Sequence, residues 1–534
     1  MTDTTRPRGR RSLLRGIALA LLALVAPGAA SDAAQGAETP PPAVSVFDDA
    51  AIPYAPFVAS DGAIVGVDYR YNPTYTRGMA QIVRVAADGA STRVDIPPLD
   101  GRVGSVRLTG AVAPLLDGTT GAIVRQVRDE RVVRADLMRF DAAGAVVSRT
   151  PLPASARGAG GVGLEPDGTA WWAHACRSRL YRRTPGGAVT VVKLPRYRCG
   201  KAGYAGDPED GTALAVGADG VWVVNLCRRR VVRYGFDGRV RRWRPREGAC
   251  VVSEIVDDYV TSPTLTVDPR GGIAWHVEDE TFNGPEEKGY DGRILPDGRL
   301  LSRGPAGAAG FIAADGGAWF PGARVDPAGR RVARPSLPGR TVVAAAPAWG
   351  GGAYLLGSHS WFVDEYKSSY WGDDDAAVAL VGADGTRADW PLAALLGTDG
   401  ARGRPERAVV GADGALWFQL GQKAVRLLPP GLPPASAPDA VPSGRAARDG
   451  RVVTLPLACR ADPGRWCSGS LTLGDAAAPV RFLVAGQQRA GVRVTLGAAA
   501  ARSLRDGAAV ETTATVASDG AGTAARPLTL RPRR

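Results

Sequence analysis

Histidine and lysine are scarce in this chain of 534 residues, with three of the first and only five of the second among 66 basic side chains. The three histidines, His174, His276 and His359, are thin material for a catalytic metal centre. The six cysteines include no Cys-x-x-Cys ligand pair, which argues against zinc. No serine stands in a Gly-x-Ser-x-Gly elbow, so hydrolase-type nucleophilic catalysis is not indicated. Helix signals are nearly absent. After one apolar run near the start, no segment approaches the roughly 20 apolar residues that cross a bilayer.

That run, Gly16 to Ala26, follows "RPRGRRSLLR" and precedes the small residues Gly28, Ala29 and Ala30, the layout of a secretory signal peptide over residues 1–30. Arg10-Arg11-Ser12-Leu13-Leu14-Arg15 resembles a twin-arginine export signal. Sec and twin-arginine export both stay open. The leader holds five arginines against one aspartate, a net +4 of the formal +13, so the remainder carries +9. Nucleic acid explains this charge poorly, because arginines are scattered through the chain and no recognition helix or stacking signature appears. The low lysine share reads as compositional bias, and attraction to anionic wall polymers fits the charge.

The cysteines suit an oxidising compartment. Cys176 and Cys199 are 23 apart, as are Cys227 and Cys250, which favours Cys176–Cys199 and Cys227–Cys250. A Cys199–Cys227 bridge is the alternative. Cys459 and Cys467, across "RADPGRW", are expected to staple a hairpin.

One repeat organises most of the chain. "PDGTAWWAHAC", "GADGVWVVNLC", "DPRGGIAWHVE", "AADGGAWFPG" and "GADGALWFQLG" share a frame: apolar strand, Asp-Gly or Gly-Gly turn, and a strand carrying Trp. A third strand, a second Gly turn and a fourth strand complete each unit. Such modules of about 40 to 50 residues are the signature of a β-propeller. Gly168 and Gly186 are expected to supply positive φ in "LEPDGTAWWAHACRSRLYRRTPGGAVTVVKLP". Trp171, Trp222, Trp275, Trp319 and Trp417, with Tyr354, are read as packing between neighbouring units.

Eight units can be marked from Phe57 to Pro430; seven blades stays open because the first two lack Trp and the sixth is short. The last unit shows three strands, and "VSVF" (Val44 to Phe47) is the candidate fourth that would close the ring. The fold class is therefore all-β: a propeller over 44–430, a Pro-rich linker over 431–448, and a small Ig-like β-sandwich over 449–534. Short alternating strands such as "RVVTLPLAC", "SGSLTLG" and "AVETTATV" support the last part.

"GADGALWF", "AADGGAWF" and the Leu-Pro unit ends resemble the repeats of streptogramin (virginiamycin B) lyase-like propellers, themselves similar to NHL-type repeats. The resemblance spans about Leu164 to Pro430. It implies a propeller fold and, for the enzymes of the family, opening of a cyclic antibiotic by elimination, with Mg²⁺ held by glutamates and a histidine as acid and base. Their repeats commonly read Trp-x-x-Glu. Here the corresponding column is Asp68, Val127, His174, Asn225, Glu278, Gly322, Gly357 and Leu420, and only Trp275-His276-Val277-Glu278 keeps the tetrad.

Asp68, His174, Asn225 and Glu278 are accordingly the candidate binding residues at one channel mouth. His276 and His174 are the candidate acid–base groups. Glu278, Asp279 and Glu280 are the candidate ligands for Mg²⁺ or Ca²⁺, with Asp373, Asp374 and Asp375 as further carboxylates. Two insertions, "EDETFNGPEEKGYDG" and "SHSWFVDEYKSSYWGDDD", read as long acidic and aromatic loops beside that mouth. A secreted monomer that binds an extracellular ligand (wall polymer, peptide or small molecule) is the expectation, with the sandwich as spacer. A metal-assisted lyase or hydrolase is the alternative.

Overall fold

The computed structural model of the chain describes residues 40–532 apart from 49, 60, 72–77, 100–104, 129–130, 175–176, 196–211, 226–228, 246–263, 278–289, 302–309, 314, 321–322, 334–335, 366–367 and 383–384. Between Ala43 and Leu428 the strands form eight four-stranded antiparallel sheets. Seven use consecutive strands. The eighth takes Pro405–Val410, Leu416–Leu420 and Lys423–Leu428, and its outer strand is Ala43–Phe47, with Val44 opposite Leu427. The first strand of each sheet touches that of the next, and the eighth touches the first, so the sheets are blades of a closed ring. Eight is thus the blade number. The sixth blade is complete, with strands of two or three residues.

One side-chain set recurs and explains both the Asp-Gly turns and the arginines. In blade 3, Asp167 Oδ1 accepts the Thr169 N–H at 2.8 Å while Gly168 takes φ 82°, the left-handed conformation that glycine adopts without strain. The same aspartate-to-backbone bond closes the turns at Asp61, Asp117, Asp315 and Asp413. Opposite the Trp of the second strand stands an Arg of the third: Trp171 with Arg182, Trp222 with Arg233, Trp319 with Arg324, Trp417 with Arg426. Each guanidinium lies 4.5 to 5.9 Å from its indole. Arg233 also pairs with the turn aspartate Asp219, and Arg426 with Asp413. Blades 1 and 2 lack the Trp yet keep the pair, Arg84 with Asp61 and Arg139 with Asp117. Arginine in the repeats is therefore structural, where composition alone suggested bias.

The tryptophans pack between blades as expected. Trp171 joins Val221, Val223 and Val232 of blade 4, and Trp417 joins Ile64, Val83 and Val85 of blade 1. Because side chains alternate along a strand, Trp172 faces the other way, onto Ile123 and Leu137 of blade 2. In blade 7 Tyr354 replaces Trp, and its buried hydroxyl donates to the Gly414 carbonyl of blade 8 at 3.0 Å. Burial pushes the Tyr354 hydroxyl well above its usual range.

Three expectations change. The second turn of blade 3 takes its positive φ at Gly187, not Gly186. "SHSWFVDEYKSSYWGDDD" is no loop: Ala353–Glu365 and Ser368–Val381 run as one hairpin, with Thr341–Pro347 and Arg387–Pro391 pairing only its lower part. An arm of two strands thus extends beyond the blade. Cys459 and Cys467 are bonded, but they lie in strands of different sheets, so the bridge joins two sheets rather than stapling a hairpin.

Those sheets form the C-terminal region. One holds Ala440–Pro442, Ala447–Asp449, Val452–Cys459 and Arg489–Thr495; the other holds Trp466–Leu473, Val480–Ala485, Val510–Ser518 and Thr523–Leu530. They share one apolar core that includes Leu455, Leu471, Phe482, Val494 and Val516, with Leu504 of the helix Ala498–Arg505. Part of the segment expected as a linker is strand here, since Ala440–Pro442 and Ala447–Asp449 both pair with Val452–Cys459. From Pro41 onward, propeller and C-terminal sheets form one unit.

Candidate functional site

The antiparallel order gives the ring two different ends. Turns joining first to second and third to fourth strands lie at one end, the turn face. Second-to-third connections and the crossovers between blades lie at the other, the crossover face.

The C-terminal sheets dock on the turn face. Trp466 Nε1 donates to the Val58 carbonyl of blade 1 at 2.6 Å, and Trp349 Nε1 of blade 7 donates to the Pro463 carbonyl at 3.0 Å. Arg493 pairs with Glu165 and Asp167 of blade 3 and lies 5.5 Å over the Phe236 ring of blade 4. Two glycines permit close approach: Gly464 lies on the Val410 and Gly411 backbone of blade 8, and Gly491 on the Ala218 carbonyl and Phe236 of blade 4. Any Cβ there would collide. In an eightfold ring blades 3 and 7 are opposite, as are 4 and 8. A region touching both opposed pairs lies across the axis, so it caps this mouth where a free-standing spacer was expected.

Charge secures the cap. The Glu165 and Arg493 side chains are each 8% exposed. Burial pushes the Glu165 carboxyl above its usual value, against the pull of Arg493 and the hydrogen bond from Trp171 Nε1. Burial likewise lowers Arg182.

At the crossover face, His174 and Asn225 end the second strands of blades 3 and 4. Both are buried, at 2% and 1% exposure. The His174 Nε2 meets the Ser155 carbonyl in the crossover from blade 2, and its ring sits edge-on to Tyr181, which stacks on Trp172. Asn225 Nδ2 donates to Thr212 Oγ1 at 2.7 Å. Both polar groups therefore serve the frame around them. Asp68, in the second strand of blade 1, has Arg93 at 3.8 Å. His276 lies in the strand Gly272–Val277, opposite Thr264 and Asp291 in register.

Glu278, Asp279 and Glu280 lie outside the described residues, as do Cys176, Cys199, Cys227, Cys250 and most of the insertion that begins at Glu278. Asp373 and Asp374 fall on the arm; Asp375 at its base is exposed and pairs with Arg340 at 2.6 Å. Among the described residues no three His, Cys, Asp or Glu side chains are grouped to hold a metal ion.

A cleft of about 370 Å³ also opens toward the crossover face, lined by Val133, Arg134, Asp136, Pro151, Leu152 and Arg157. Its walls are the third and fourth strands of blade 2 and the crossover into blade 3. Asp136, fully buried, accepts from Arg134 Nε at 2.9 Å and Arg149 Nε at 2.8 Å. Sequence reasoning passed over this cluster because "RVVRADLMRF" reads as an ordinary alternating strand.

The closed ring defines a β-propeller. Its fold is similar to a streptogramin B lyase structure, at 14% identity over 72% of this chain and 97% of that one, with a TM-score of 0.38. It is also similar to virginiamycin B lyase from Staphylococcus aureus, at 14% identity over 61% and 99% of the two chains, TM-score 0.31. A gluconolactonase from Xanthomonas campestris aligns at 15% identity over 61% and 99%, TM-score 0.23. No family model matches the chain, and no curated protein matches it. These neighbours differ in activity, so the likeness concerns fold alone.

Proposed function

We propose that the chain is an exported binding propeller whose ligand meets the crossover face. The observation that carries this reading is the cap: with one mouth covered by the chain's own C-terminal sheets, the opposite mouth is the one left for a partner. The arm of blade 7 and the cleft of blade 2 both belong to that end, where connections vary from blade to blade, as recognition surfaces on repeat scaffolds do. Export rests on the leader at residues 1–30, and the net positive charge favours an anionic wall polymer as ligand.

A metal-assisted lyase or hydrolase would draw on His276, His174 and Glu278. That alternative gains nothing from His174, whose buried ring is held by Ser155 of the crossover and Tyr181 of its own blade.

Binding of the purified protein to isolated cell-wall sacculi tests the reading. Wild type should bind, and replacing the arm residues 360–373 by a short turn should weaken binding several-fold. Equal binding by the two proteins, or none by wild type, would overturn the crossover-face assignment.

A further inference from the structure

We infer that the crossover-face mouth at blades 7, 8 and 1 holds a saccharide subsite, in which the Tyr54 ring backed by Arg407 stacks on a pyranose ring while Glu406 and Thr341 take its hydroxyls. The inference rests on the reading that the ligand meets the crossover face, and it names the part of a wall polymer that this face holds.

The first strands of the three blades, Thr341–Pro347, Pro405–Val410 and Tyr54–Val58, lie side by side around the axis and start at the crossover face. Each offers an exposed side chain there: Thr341, Glu406 and Tyr54, the last at 47% exposure. Gly161 and Thr212, which start the first strands of blades 3 and 4, are buried. Pairing is irregular on the same side of the ring. First and second strands shift register in blades 7, 8, 1 and 2, and keep a regular register in blades 3 to 6. Bulges of this kind re-aim side chains and recur beside binding and active sites.

The bulge of blade 8 sets Arg407 and Ala408 together opposite Phe418. Arg407 takes φ 51° there, in the left-handed region, where such bulges ordinarily carry glycine. An arginine in that place costs backbone strain, and its buried Nε has no hydrogen-bond partner among the described residues. What the side chain gains is position. Its guanidinium lies 3.5 Å over the Tyr54 ring, and Nη1 donates to the Ile52 carbonyl at 3.1 Å. Ile52 is fixed in turn, since its N–H donates to Gln419 Oε1 at 2.7 Å. One face of the phenol is thus held against a cation, and the exposure that Tyr54 keeps lies on its other face and edge. An exposed ring held at a defined angle is a platform for the apolar face of a sugar. The Glu406 carboxylate on the neighbouring strand has no hydrogen bond or ion pair among the described residues, which leaves it to accept from sugar hydroxyls.

Calorimetric titration with chitotetraose, a neutral N-acetylhexosamine chain, and with tetragalacturonate, a uronic one, tests the subsite. At least one should bind wild type, and the one that binds tells whether the ring is neutral or acidic; binding of neither would overturn the subsite. Tyr54→Ala should weaken that binding about tenfold or more, while Tyr54→Phe keeps it within about twofold, because the ring alone makes the stack. Equal losses in the two variants would overturn the stack. Arg407→Gly separates binding from folding. Glycine suits the left-handed bulge, so thermal stability should stay near that of wild type while binding falls about threefold or more. Lost stability with unchanged binding would make Arg407 a packing residue and overturn its part in the subsite. The outcomes separate from those of the wall-binding test. If sacculi hold wild type and Tyr54→Ala equally, the subsite is overturned and the face assignment stands. If Tyr54→Ala loses the oligosaccharide while arm shortening leaves sacculus binding intact, the saccharide subsite stands and the arm's role in wall binding falls.

Discussion

The two ends of the propeller are built from the same repeat yet differ in what they repeat. At the turn face, Asp-Gly turns recur with the same hydrogen bond and nearly the same glycine conformation, as at Gly168 with φ 82° and Gly414 with φ 83°. At the crossover face the connections diverge, from the segment carrying Ser155 and Arg157 to the arm that begins beyond Gly357. Uniform turns give a regular surface on which the C-terminal sheets can lie. Irregular connections give side-chain combinations that occur once, such as the arginines around Asp136. Repetition here serves assembly, and departure from it is what the proposed ligand face rests on.

The contrast can be broken from the cap side, and the largest effect should come from Arg493→Ala. It would leave Glu165 buried without its cation beside Asp167, at a cost of about 3–5 kcal/mol in chemical denaturation near neutral pH. The cost should depend on pH with a definite sign. Burial already raises Glu165, and without the guanidinium less opposes it. The native variant then keeps a proton that the unfolded chain releases, so its stability falls as pH rises through the native value. The deficit against wild type is therefore largest at alkaline pH and shrinks toward the unfolded carboxyl value of about 4.3.

Gly491→Leu should follow at about 1–3 kcal/mol, because its side chain meets the Ala218 carbonyl and Phe236 with no room to repack. Thermal unfolding would record it. Tyr354→Phe should cost about 1 kcal/mol, leaving the Gly414 carbonyl without its donor inside the blade 7–8 interface. Asp413→Ala should cost about 1 kcal/mol or less, since that carboxylate is 43% exposed and its pair with Arg426 is screened by water. A larger loss from Asp413→Ala than from Gly491→Leu would mean that individual turns matter more to this face than the fit of the cap.

Much of the fold was legible in the sequence because its signals are local. Alternating strands, Asp-Gly turns and the Trp of five units gave the blades, and "VSVF" was marked as the closing strand that Ala43–Phe47 forms. Even the arginine sets had a signal, since Trp171 to Arg182 and Trp222 to Arg233 are both 11 residues apart. The cap was not legible. Arg493 and Glu165 are far apart in sequence, and the glycines that allow docking look like any turn glycine. Cys459 and Cys467, eight apart, look like a hairpin staple because spacing does not report which sheet each strand joins. Of the candidate site, His174 ends the second strand of blade 3, and its burial against Ser155 and Tyr181 depends on the preceding crossover and its own third strand. The cleft around Asp136 needs the pairing of the third and fourth strands of blade 2 and the path of the crossover after them, and no spacing rule marks it.

Hydroxyl-radical footprinting of the full chain, read at Trp349, Trp466 and Phe236, tests the capped mouth most directly. All three side chains lie at contacts between the C-terminal sheets and the turn face. A docked cap predicts slow oxidation of all three in wild type and a joint rise in Gly491→Leu, with Trp172, buried between blades 2 and 3, unchanged in both. Oxidation of Trp349 and Trp466 in wild type at the rate of solvent-exposed tryptophan would contradict it.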